Sequence, residues 1–236
     1  SAVHPVDVKD FSSDDRIPYR QPRTYSYRLG DHILVHPTVF NEKDDSDSAT
    51  VHMEFPEEKD GSSAVWLDWW QPNNKHRAHK SGDKQVRVVP FDSYAVYVRE
   101  GAFIPLHDTK NEDSDVESVN LDRYTFTWFH PQTSASQANP ARYDMRESMS
   151  TGTGMTAKAY FSSSDSILAE ISSHPGSVAL DLVGVEKPSD VKITAFKTAG
   201  CHHSYDVLGK RARVQCKNNL GGVRIEFSGI QLISSE

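Results

Sequence analysis

Hydrophobic positions in this chain come in short, β-branched or alternating runs, and no stretch sustains a 3.6-residue period. Ile33-Leu34-Val35 is an apolar run closed by His36-Pro37, as expected of a buried strand. Val51, Met53 and Phe55 alternate with polar neighbours, the mark of a half-buried strand. Val65-Trp66-Leu67-Asp68-Trp69-Trp70 follows, closed by Gln71-Pro72-Asn73-Asn74. Val86 and Val88, the Tyr94-to-Val98 run and Phe103-Ile104 predict three more strands, punctuated by Gly61, Gly82 and Gly101. Beyond them come strand patterns at 124–129, 156–161, 166–171, 178–183, 191–197, 212–216 and 222–227, with a polar insert at 132–142. Strands at this spacing, separated by Gly, Pro and Ser clusters, predict an all-β protein built of β-sandwiches.

The same pattern divides the chain. Residues 1–24 are polar, with Pro5, Pro18 and Pro22, and read as an extended tail without a core of its own. The stretch 107–120 is acidic and nearly without large apolar residues, so it is the natural linker. The expected modules are a proximal β-sandwich over 25–110 and a distal one over 111–236, with Phe103-Ile104 in the first. At 236 residues, two modules of roughly 100 residues each fit the usual domain size.

Charge and composition exclude some functions. The formal net charge is −7 and basic residues are dispersed, so there is no electrostatic footprint for nucleic acid or anionic lipid. No run approaches the length of a membrane helix. Eleven histidines invite a metal hypothesis, but His202-His203 are the only adjacent pair, and strand neighbours point to opposite faces. No metal site and no cofactor is expected. Gly152-Thr153-Gly154 lacks the Lys-Ser/Thr of a phosphate loop, and no Gly-x-Ser-x-Gly elbow occurs. The acidic clusters at 44–47 and 108–117 read as solvated loops that could not hold two carboxyls in catalytic register. Cys201 and Cys216 match no zinc or redox pattern. A pair of buried thiols is one reading; a disulfide tying adjacent strands in an oxidising compartment is the other.

The tryptophan cluster stands above this background. Trp66, Trp69 and Trp70 lie within five residues, and flat aromatic faces on a sandwich are a carbohydrate-stacking platform. On a continuous strand Trp66 and Trp70 share one face and Trp69 takes the other, so part of the cluster is expected in the core.

Three blocks in this region resemble glycoside hydrolase family 31, the α-glucosidase and α-xylosidase group, at its C-terminal β-domains. Residues Tyr27 to Pro37 (YRLGDHILVHP) are similar to the junction where the family's barrel ends and its sandwich begins. Phe55-Pro56 with Val65 to Trp70 resembles an "F-P-x-G-x-W-x-D-W-W" strand, here carrying the insertion EEKDGSSA. Val89 to Leu106 resembles "V-P-L-x-x-x-P-V-(F/Y)-V-R-x-G-(A/S)-I-I-P-L". More weakly, Tyr143-Asp144-Met145-Arg146-Glu147 falls where the family has an acidic "Y-x-D-D-G" loop, and Val183 to Pro188 resembles a later "G-V-x-x-P" turn.

The resemblance implies a parent that cleaves α-glycosidic bonds with retention, using two aspartates on a (β/α)8 barrel. The nucleophile's "W-x-D-M-N-E"-like signature is absent, so no residue here is assigned a catalytic role. The implied chain is a non-catalytic C-terminal region whose partner is that barrel. The alternative is an autonomous carbohydrate-binding module using Trp66, Trp69 and Trp70. The secretory pathway or the endoplasmic reticulum is one compartment open to the parent. A barrel-facing surface left uncovered implies an exposed apolar patch beside residues 1–37, around Tyr25, Tyr27 and Leu29, with 1–24 disordered or non-native in packing.

Overall fold

The computed structural model describes residues 3–5, 26–37, 48–57, 63–90, 93–107, 123–145, 154–174, 176–195, 199–217 and 221–233. Among them the regular structure is strand, apart from one short 3-10 turn, Lys75–Arg77. The fold is all-β. Cα packing divides the chain into two compact units meeting at Glu100 and Gly101. The expected boundary lay at 110/111.

The first unit contains β1 (Val3–Pro5), β2 (Tyr27–Leu29), β3 (Ile33–His36), β4 (Ser48–Glu54), β5 (Val65–Asp68), β6 (His79–Lys80), β7 (Lys84–Pro90) and β8 (Ala95–Arg99). Six of these form one sheet in the order β1-β2-β3-β8-β5-β6, and β4 and β7 form a separate antiparallel ribbon. The core lies between the two layers. Leu34, Trp66, Ala95 and Tyr97 from the large sheet meet Val51, Met53 and Val89 from the ribbon, with Phe55 just past β4. Alternation explains the ribbon: Val51 and Met53 face inward, while Val86 and Val88 point outward and are 62% and 63% exposed.

The second unit contains β9 (Phe103–His107), β10 (Arg123–Phe129), β11 (Ala141–Met145), β12 (Met155–Ser163), β13 (Ser166–Ile171), β14 (Ser177–Val183), β15 (Asp190–Ala195), β16 (Ala199–Asp206), β17 (Arg211–Lys217) and β18 (Val223–Ser228). Two five-stranded sheets, β16-β17-β14-β10-β9 and β11-β12-β13-β18-β15, face each other. Every second residue of the central strands enters the shared core: Phe126 and Trp128, Leu180 and Leu182, Ala157 and Ala159, Ile167 and Ala169, Ile225 and Phe227. This is the packing of a β-sandwich. One pair, β10 with β14, is parallel, and the other strand pairs of these sheets are antiparallel.

Phe103–His107 departs from expectation. It pairs antiparallel with β10, Phe103 opposite Trp128, and so belongs to the second unit. The pattern of 103–106 could announce a strand but not its partner. At the other end, Val3–Pro5 pairs with β2, so the segment expected to be a tail contributes a strand. The rest of 1–24, like the acidic clusters at 44–47 and 108–117, lies outside the described residues. Of the expected patch, Tyr25 lies outside the described residues, Tyr27 is half-buried and Leu29 is 42% exposed, while Leu34 and Val35 are buried. The larger apolar exposures are at Val86, Val88, Trp70 and Tyr94 in this unit, and Val207 and Leu208 in the second.

Candidate functional site

The three tryptophans sit where β5 ends, and Asp68 decides what happens to them. Its carboxylate is 1% exposed. Oδ1 accepts the backbone N–H groups of Trp70 (2.9 Å) and Gln71 (3.1 Å), an aspartate turn that breaks the strand. Oδ2 accepts Nη1 of Arg77 at 3.2 Å and Nη1 of Arg87 at 3.0 Å. A buried carboxylate is tolerable only when its charge and lone pairs are matched in this way.

The turn overrides alternation. Trp66 is fully enclosed in the first core, with the Arg28 guanidinium 5.2 Å from its ring centroid. Trp70 lies beyond the strand's end, 61% exposed, and its Nε1 donates to the Tyr94 carbonyl at 3.0 Å. Trp69 is half-buried, its N–H on the Val96 carbonyl. Trp66 and Trp70 therefore do not share a face, contrary to what alternation along a continuous strand implied. What remains is one exposed indole with a fixed orientation, beside a Tyr94 that is itself 61% exposed. The following turn is ordered by amides: Asn74 Nδ2 donates to Gln71 Oε1 at 3.0 Å, and Asn74 Oδ1 accepts the His76 N–H.

Behind this corner is a cluster that the sequence reading missed. His36 ends β3 at 1% exposure, edge-on to Phe55 and Tyr97 at 5.5 and 5.8 Å between ring centroids. His79 stacks on Phe55 at 4.4 Å. Burial, reinforced by the nearby His79, pushes the His36 imidazole down to about 4. Burial lowers His79 too, and raises the Tyr97 phenol. The signal available in sequence was His36 closing an apolar run.

In the second unit the buried carboxylate is Asp181, on the outer face of its sheet. Arg213 and Arg211 approach Oδ2 at 3.6 and 3.8 Å. Asp144, in the segment resembling the acidic loop, is exposed. It accepts Arg142 Nε at 2.7 Å and Thr156 Oγ1 at 2.9 Å, which holds its carboxyl below the usual range. Cys201 and Cys216 lie directly opposite each other on β16 and β17 and are joined as a disulfide. His202 and His203 are both exposed on β16. Among the described residues, no group of three or more His, Cys, Asp or Glu side chains is placed to hold a metal ion.

Residues 9–104 match the model of the glycosyl hydrolase family 31 C-terminal domain. This part of the chain is a family 31 C-terminal domain. The match runs through the Asp68 turn and the β7–β8 segment, and spans nearly all of the first unit beyond its opening strand. Solved structures extend the likeness in fold to both units. The cycloalternan-forming enzyme from Listeria monocytogenes, in complex with a pentasaccharide substrate, superposes with a TM-score of 0.64 at 18% identity, over 88% of this chain and 19% of that one. The family 31 dextranase of Flavobacterium johnsoniae, complexed with glucose, gives 0.61 at 13% identity, over 86% of this chain and 26% of that one. The chain thus spans about a fifth to a quarter of the length of these enzymes. A search of curated proteins gave no match.

Proposed function

We propose that this chain is the non-catalytic C-terminal β region of a family 31 glycoside hydrolase. On this reading it packs on and supports a catalytic (β/α)8 barrel, and the parent hydrolyses α-glycosidic bonds with retention. The family match over 9–104 carries the proposal. The arrangement of acids supports it. Asp68 and Asp181 are the buried carboxylates among the described residues, one in each unit, and each is engaged by two arginines. Retaining hydrolysis needs two carboxyls about 5 Å apart across a sugar site, one of them able to donate a proton. Among the described residues neither carboxylate has a second carboxyl paired across a sugar-sized site in this way; their ion-pair partners are arginines. The outward valines of the ribbon, Val86 and Val88, are surface that a covering domain would bury.

The test is co-purification. The coding sequence around these residues is expected to encode a barrel, and that barrel, co-expressed as a separate polypeptide, should be recovered in a stoichiometric complex with this chain. A coding sequence without a barrel, or a barrel that is soluble and active alone and does not bind, overturns the proposal.

A second reading, carbohydrate binding, is favoured by one observation: the Trp70 ring is open to solvent yet held by its own N–H on Tyr94. Such a ring can stack on a sugar's C–H face without losing much side-chain freedom. In this reading Trp70 and Tyr94 bind, Trp69 contributes an edge, and Trp66 is structural. Titration with maltose or isomaltose should then shift the Trp70 indole resonance, and Trp70→Ala should abolish binding while the chain stays folded. An indole signal unmoved at millimolar sugar removes this reading.

A further inference from the structure

We propose that the ring cluster of His36 and His79 is an acid-triggered latch, which holds the β1-β2-β3 edge onto the rest of the first unit when both imidazoles are neutral and releases it when they are protonated.

The geometry sets up a conflict for any added proton. His36 Nδ1 is 2.5 Å from Ser26 Oγ, so that nitrogen is satisfied in either neutral tautomer. Nε2 is enclosed and meets no hydrogen-bond partner among the described residues. An imidazolium would place a charged N–H there with nothing to receive it, the costliest way to bury a polar group. Among the described residues no carboxylate offsets a charge on His36. The Tyr97 phenol faces the ring from β8, itself touched by Arg87 Nη1 from β7 and by the Met53 sulfur from β4, each at 3.5 Å. Phe55 closes one side. The carboxylates of the neighbourhood, Asp68 on β5 and Asp83 in the turn before β7, act on His79. Asp68 is already engaged by Arg77 and Arg87. The charge that bears on His36 is that of His79, which opposes protonation. A charged His79 thus works against a charge on His36 in the same aromatic cage.

Topology gives the release a direction. In the order β1-β2-β3-β8-β5-β6, β3 joins the remainder of its sheet only through β8, from Ile33 opposite Val98 to His36 opposite Ala95. The Ser26 contact fastens the residue before β2 to the end of β3, so the hairpin moves as a piece. Hydrating a charged His36 means parting β3 from β8. A histidine whose proton affinity is depressed in the folded state stabilises that state fully above its ordinary value. The contribution is lost as pH falls from about 6.5 towards 4.

The test uses the whole chain. Hydrogen exchange at the β3 and β8 amides, corrected for intrinsic rates, should show an opening ratio roughly 60-fold larger at pH 4.5 than at pH 7, the factor by which an opened state with an ordinary imidazole outcompetes the closed one. The double variant Ser26→Ala/His36→Phe, which fills the cage with a ring that cannot titrate, should lose most of that dependence. The His36 ring proton in wild type, followed by NMR, should stay unshifted down to about pH 5 and change only as the edge opens. A His36 signal titrating near 6.5 in the folded chain, or β3 protection unchanged between pH 7 and 4.5, overturns the latch. The wild-type measurement decides even if the double variant fails to fold.

Discussion

Replacing Trp66 and Trp70 separately by alanine should have sharply unequal effects. Trp66 is fully enclosed among Leu34, Val51, Met53, Phe55, Val89, Ala95 and Tyr97, and the Arg28 guanidinium lies over its ring. Truncating a buried tryptophan costs about 3–5 kcal/mol in lost transfer energy and residual cavity. Loss of the cation–π contact adds about 0.5–1 kcal/mol. A unit of this size holds about 5–15 kcal/mol in all, so Trp66→Ala removes about a quarter of it or more. Trp70→Ala gives up one hydrogen bond at a ring 61% exposed, about 0.5–1 kcal/mol. The assay is urea denaturation followed by tryptophan fluorescence. Three of the four tryptophans lie in the first unit and Trp128 reports on the second, so each variant retains reporters for both. The expected result is a large fall in the first unit's midpoint for Trp66→Ala and a small one for Trp70→Ala. Equal effects would mean that both rings lie on one buried face, as strand alternation alone would have it. The strand-breaking role given to Asp68 would then be wrong.

Asp68→Ala strips two arginines and two backbone N–H groups of their acceptor, and should cost about 2–4 kcal/mol, tempered by the partial exposure of Arg77 and Arg87. Asp68→Asn should cost less, and a melting curve unchanged by either would refute the assignment. Breaking the Cys201–Cys216 link, which closes a loop of sequence separation 15, should cost the second unit about 3 kcal/mol. Melting the wild type with and without reductant checks this, since equal midpoints mean the disulfide contributes nothing. Gly184 has φ +82°, and an added Cβ would run into the His130 imidazole. Gly184→Ala should destabilise the second unit by about 1–3 kcal/mol in a thermal melt, and a neutral effect would show that the His130 ring yields freely.

Much of the fold was legible because period-2 patterning is local. The strands at Val51–Phe55, 156–161, 166–171 and 222–227 were announced by their own alternation, and they form. Others went unread, among them Ala141–Met145 and Ala199–Asp206, edge strands that need not bury a full face. Pairing is a long-range property, and for that reason Phe103–His107 was assigned to the wrong unit. In the candidate site, alternation failed at one residue. Asp68 looked like an ordinary strand position, but its carboxylate captures the next N–H groups once Arg77 and Arg87 make its burial tolerable. The reach of those two arginines could not be read from spacing. The His36 cage was invisible for a similar reason, since Ser26, Phe55, His79 and Tyr97 meet it only through the fold.

The measurement that bears most directly on the proposed role is hydrolysis of aryl α-glucosides and α-xylosides by the purified chain. Among the described residues the buried carboxylates, Asp68 and Asp181, are each paired with two arginines, so turnover should not exceed that of a heat-denatured control. Turnover that survives rigorous purification, and disappears when Asp68, Asp144 or Asp181 is changed to asparagine in a chain that still folds, would contradict the non-catalytic role outright.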